Sequence, residues 1–195
     1  VGATLEAAVN VAKGGVSQGN GTTNGTGSGE FFAREATVNI AGGFGKLVAG
    51  KLPASQAYFA TADYVSNHNH DTGTSDDALF GHLTTGAFKN ALGYEGKFGG
   101  VGVTASYGFR KNGNTDATVP YASATPVALT AAYDMGALGL GLAHERLAQL
   151  TATTLRANYS VGPVLVGGYI EKDSGTNASG ANVARNAIRL SAMYT

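Results

Sequence analysis

An all-β chain of antiparallel strands is the fold class this sequence predicts, and three observations carry it. Apolar and polar residues alternate with a period of two through one stretch after another. Glycine, at 30 of 195 residues, is about twice its usual share, while proline stands at four. The alternating stretches are separated by glycine turns and polar runs, and helical signals are nearly absent. Charged residues make up 13% of the chain, about half of what a soluble domain carries, so part of the surface is expected to face something other than water.

Residues 31–53 are the clearest unit. Phe32, Ala36, Val38 and Ile40 alternate with Glu35, Thr37 and Asn39. Gly42, Gly43 and Gly45 supply a tight turn, residues 46–52 resume the extended pattern, and Pro53 stops it. The chain repeats this unit. Residues 1–13 set Leu5, Ala7, Val9 and Val11 against a more polar face, and residues 14–30 follow as a polar connection with seven glycines. After a long polar stretch at 53–88, residues 89–96 turn at 97–100 into 101–110, where Val101, Val103, Ala105, Tyr107 and Phe109 alternate with small polar residues and Arg110. Residues 127–134 turn at 134–137 and return with Leu138, Leu140 and Leu142. Residues 153–161, 164–171 and 186–195 complete ten expected strands.

The connections are of two kinds. Those at 42–45, 97–100, 134–137 and 161–163 are short and share one end of the sheet; those at 14–30, 53–88, 111–126, 148–151 and 172–184 share the other, and most of them are long. Together with aromatic residues near the strand ends, this asymmetry predicts a transmembrane antiparallel β-barrel of the outer-membrane kind. The apolar stripe then faces lipid and the polar stripe a watery interior, with every backbone group paired between strands. A soluble antiparallel sandwich alternates in the same way, but its polar face would carry many Lys and Glu where this one carries Gly, Thr and Ser. No fixed repeat length supports a β-solenoid.

Composition narrows the function. Thirteen basic and thirteen acidic residues cancel, so nucleic acid is not an expected partner. Without cysteine there are no disulfides, thiolate metal sites or cysteine nucleophiles. His68, Asn69, His70 and Asp71 form a poor candidate for a metal site, and no metal or cofactor is expected. His144 and Glu145 are adjacent, so they face opposite sides, and no catalytic residues are assigned. By counting, Arg110, Arg156 and Arg189 lie on the polar stripe, as do Glu35, Glu95 and Glu145.

The run FFAREATVNIAGGFGKLVAGK at 31–51, and the strand KFGGVGVTASYGF at 97–109, resemble trimeric Gram-negative porins of the β-proteobacterial type; weaker similarity runs to Tyr194. The resemblance implies a single sixteen-stranded barrel domain in a homotrimer, with a long loop folded inward to constrict the pore. About ten of those strands are represented, so an incomplete chain is expected. The constriction loop would be 53–88, with Asp63, Asp71, Asp76 and Asp77 as its acidic residues. Arg34 and Lys51 match basic pore-wall positions of the family, although counting by two places both on the face of Ala36 and Val38. The expected function is a passive channel for small hydrophilic solutes and ions, not an enzyme. Its surroundings would be outer-membrane lipid and lipopolysaccharide. A barrel with a plugged lumen serving as an envelope anchor or docking partner is the alternative.

Overall fold

The computed structural model describes residues 1–6, 8–10, 15–17, 35–54, 87–109, 125–176 and 180–194. Twelve strands run through them: β1 Gly2–Glu6, β2 Ala8–Asn10, β3 Gly15–Ser17, β4 Glu35–Gly42, β5 Gly45–Ala54, β6 Ala87–Phe98, β7 Val101–Gly108, β8 Val127–Met135, β9 Leu138–Leu147, β10 Leu150–Val161, β11 Val164–Thr176 and β12 Asn182–Tyr194. Ten of them form one antiparallel sheet in the order β1-β4-β5-β6-β7-β8-β9-β10-β11-β12, with each strand from β4 onward beside its neighbour in sequence. β2 and β3 pair only with each other. No helix among the described residues is long and apolar enough to cross a membrane; the long strands, mostly eight to thirteen residues, suit the ~9–11 residues a tilted strand needs to do so.

Burial is one-sided, and its sense is inverted relative to a soluble protein. Ile170 is 52% exposed while its neighbours Tyr169 and Glu171 are 2% and 3% exposed. Following the register from strand to strand, Thr37, Val48, Ala91, Ser106, Thr130, Ala143, Thr154 and Glu171 share the buried face, which is the inner one. Val38, Ile40, Leu47, Leu92, Leu129, Leu140, Leu155 and Ile188 share the exposed, outer one. An apolar outer face over a polar inner face is what a wall between lipid and water requires.

The two ends differ as expected. The short turns are 43–44, 99–100, 136–137 and 162–163. Near them on the outer face lie Phe98, Tyr133, Tyr159 and Tyr194, and Tyr94, whose hydroxyl donates to the Phe44 carbonyl at 2.6 Å and whose ring stacks on Phe98 at 6.4 Å. At the opposite end Tyr107 and Phe109 meet edge to face at 5.4 Å. Aromatic rings at both borders of an aliphatic band mark the two membrane interfaces.

Four element boundaries depart from expectation, one being that β5 runs through Pro53 to Ala54 and β6 begins at Ala87, so both ends of the loop expected at 53–88 are strand. The strand expected over 1–13 is divided, because Ala8–Asn10 turns back on nearby Gly15–Ser17 and does not extend the β1–β4 ladder; a local pairing closes the smaller loop. The reversal expected at 148–151 is the two residues Ala148 and Gln149, with Ala148 at φ +54°. The loop expected at 172–184 is strand at both ends, since β11 and β12 pair out to Thr176 and Asn182. There both faces are polar, so alternation vanishes while the backbone ladder continues.

Gly50 sits at φ +132°, where a Cβ would strike the Ala36 carbonyl oxygen, beside a register shift between β5 and β6. Gly50→Val is therefore expected to destabilise the folded protein by about 1–3 kcal/mol. Loss of the heat-resistant folded band at a lower temperature than wild type would show it.

Candidate functional site: the charged inner wall

Every acidic side chain described lies on the inner face. Register relates them. One row runs Lys46, Glu95, Thr104, Thr130, Ala143, Thr154, Glu171, Ala187 across β5–β12. The next, toward the long connections, includes Glu145, Ala152, Asp173 and Arg185. The next toward the short turns includes Ala132, Gly141, Arg156, Tyr169 and Arg189. Asp173 therefore stands directly opposite Arg185. Glu171 is diagonal to Arg156, Arg185 and Arg189, within the reach of long side chains across a sheet.

Burial along this wall is deep: Glu145, Glu171 and Asp173 are each 3% exposed and Arg156 is 5% exposed. Arg156 lies flat because β9 offers no side chain beneath it. A Cβ at Gly141 would collide with the Arg156 guanidinium, and one at Gly139 with Asn158. Arg156 Nη2 donates to the Leu140 carbonyl at 3.5 Å. Neither carboxylate oxygen of Asp173 has a hydrogen-bond partner among the described residues. A recess of about 230 Å³ opens on the same face between Glu95, Asp134 and Arg156, floored by Gly102, Thr104, Thr130 and Ala132. Thr104 and Thr130 share a short hydrogen bond across its floor. Nearer the turns, Lys46 Nζ pairs with Glu95 Oε1 at 3.3 Å; near the other end Thr37 Oγ1 donates to Glu35 Oε1 at 2.8 Å.

Of the residues expected on the wall, Glu35, Glu95, Glu145, Arg156 and Arg189 stand on the inner face. Lys51 does not: it pairs with Ala36 on the outer register, and the shifts between Gly50, Leu52 and Ala54 leave Leu52 buried on the inner side, so no bulge turns Lys51 inward. Arg34 and Arg110, the loop aspartates Asp63, Asp71, Asp76 and Asp77, and the His68–Asp71 cluster lie outside the described residues. His144 and Glu145 part as counting requires, His144 sharing a 2.8 Å hydrogen bond with Thr153 on the outer face. Sequence reasoning did not assign Asp134, Glu171, Asp173 and Arg185. Counting by two from Ala132, Tyr169 and Arg189 reaches all of them, but Asp173 sits in the segment 172–184 read as loop and Arg185 between it and the strand expected from 186.

Two solved structures are similar to the chain. One is outer-membrane-expressed OmpT of Vibrio cholerae, with TM-score 0.60 and 17% identity over 83% of this chain and 54% of that one. Another is the trimer form of in-vitro-folded OmpT from Vibrio cholerae, with TM-score 0.42 and 14% identity over 86% and 67%. The chain thus spans about half the length of the first. No curated protein sequence matches it significantly. The family model for Gram-negative porins matches residues 1–195. With a lipid-facing outside, a charged inside and that match over its whole length, this chain belongs to the Gram-negative porin family and forms wall of a β-barrel in the bacterial outer membrane.

Proposed function

We propose that the protein is a passive diffusion channel for small hydrophilic solutes and ions, with the charged inner face as its wall. The observation that carries this reading is the sorting of charge: every described carboxylate points inward, away from the apolar outer face. A carboxylate turned toward lipid costs several kcal/mol, so acidic groups confined to one face favour a polar lumen on that side. Acidic and basic side chains facing one lumen sort solutes by charge and size. No step of chemistry is assigned to the wall; the protein is read as non-enzymatic.

The resemblance supports the finer picture: a β-proteobacterial type of porin, one sixteen-stranded barrel domain to which residues 1–195 contribute, assembled as a homotrimer. The stretch 53–88, whose first and last two residues belong to β5 and β6, would supply its constriction loop, bringing Asp63, Asp71, Asp76 and Asp77 toward the arginines of the wall. Planar-bilayer recording of the purified full-length protein should give discrete, long-lived conductance steps that scale with salt concentration. A folded protein that inserts and passes no current would overturn the channel.

A further inference from the structure

Two opposite charges approach each other on the inner wall without joining. Asp134 stands near the end of β8 and Arg156 on β10, and the inner positions of β9 between them are Gly139 and Gly141. Asp134 leans over Gly139, its Oδ1 3.0 Å from where a Cβ would stand; Arg156 lies over Gly141, its Nε 2.6 Å from the corresponding point. The two glycines are one row apart, about 7 Å along the strand. Asp134 is exposed and makes no hydrogen bond or ion pair among the described residues.

Both side chains border the recess of about 230 Å³, and Glu95 closes its far side. Lys46 Nζ holds Glu95 Oε1 at 3.3 Å, so that side presents an acceptor and a donor with no net charge. From β6 to β9 the recess spans three strand spacings, about 14 Å, less the reach of the side chains at either end. Its floor adds one directed donor. Thr104 and Thr130 spend one hydroxyl hydrogen on each other and keep a second, and Thr130, 2% exposed, is locked in place.

A lone anion in this recess gains from Arg156 and is repelled by Asp134; a lone cation meets the reverse. A solute with ammonium and carboxylate on one carbon satisfies both, and an uncharged polar tail suits the ion pair at the far side. We propose that the recess is a subsite for zwitterionic solutes of the α-amino-acid class, with Asp134 taking the ammonium, Arg156 the carboxylate, and Glu95 with Lys46 facing the side chain. The inference deepens the channel reading and rests on its watery lumen. It adds what a charged wall alone does not give, a preference for a solute of zero net charge.

The test is calorimetric titration of the full-length protein, folded in detergent, with L-glutamine and with two analogues that each lack one charge: 4-carbamoylbutyrate has no ammonium and 4-aminobutyramide no carboxylate. Wild type is expected to bind glutamine about tenfold more tightly than either. Asp134→Asn should lower glutamine to the level of 4-carbamoylbutyrate, and Arg156→Gln to that of 4-aminobutyramide. Gly102→Leu keeps every charge, and a Cβ there meets only the Ala132 carbonyl oxygen, at 3.8 Å, so this variant should fold and lose glutamine because its floor is filled. Glu35→Gln removes an inner carboxylate at the other end of the wall and should bind as wild type does. Equal affinity for the three solutes overturns the subsite, as does undiminished binding by Gly102→Leu or an equal loss in Glu35→Gln. Bilayer conductance reads the channel separately: a protein that conducts and binds no glutamine keeps the channel and loses the subsite, and one that binds glutamine selectively and passes no current keeps the subsite and loses the channel.

Discussion

Replacing Leu155 by arginine should cost the full-length protein about 2–4 kcal/mol of folding stability in a bilayer, whereas arginine at Thr153, one step higher on the same strand and face, should cost about 0–1 kcal/mol. Leu155 is 49% exposed on the outer face, between Leu142 and Ile170, in the aliphatic band that separates the two rings of aromatic residues. A guanidinium there has neither water nor a partner. Thr153 lies in the row of His144 and Lys172, where headgroups provide both. Equilibrium unfolding from lipid vesicles measures the difference. Equal penalties at the two positions would mean that this face does not meet a graded membrane, and the assignment of the outer surface would fall.

The second large effect concerns the inner face. Glu171→Gln together with Asp173→Asn should move the reversal potential in a salt gradient toward anion preference, lowering the cation-to-anion permeability ratio roughly two- to tenfold. Both carboxylates are nearly buried on the wall, and the variant leaves Arg156, Arg185 and Arg189 around the same spot with two fewer opposing charges. Both substitutions preserve size, so the conductance itself should change far less than the selectivity. An unchanged reversal potential would remove these two residues from the path of the ions.

The sequence carried more of the wall than of its borders. Alternation over residues 101–108 and 164–171 identifies a strand because lipid and water impose opposite demands on successive side chains. That signal fails where the demand ceases. Past Lys172 the strands rise out of the apolar band, Lys172 and Ser174 outside are as polar as Asp173 inside, and only backbone pairing continues. Asp173 and Arg185 were hidden by this loss of contrast, not by any irregularity of the strand. Lys51 shows the opposite case. Its place in a family motif suggested the lumen, while simple counting placed it on the face of Ala36, and the ladder between β4 and β5 follows the counting. Long-range partnerships such as Lys46 with Glu95, or Tyr94 with Phe44, depend on which strands lie side by side and have no local trace.

The sorting of charge between the two faces also has a consequence for how the sheet finds its alignment. Sliding β11 by one residue against β10 would turn Glu171 and Asp173 toward hydrocarbon and Ile170 toward water, reversing every side chain of the strand at once. Because no described acidic residue lies on the lipid side, any such slip carries an inner-face carboxylate into the bilayer core. The inner carboxylates therefore penalise odd misalignments and leave only shifts of two, which between β9 and β10 the close fit of Gly141 under Arg156 disfavours as well.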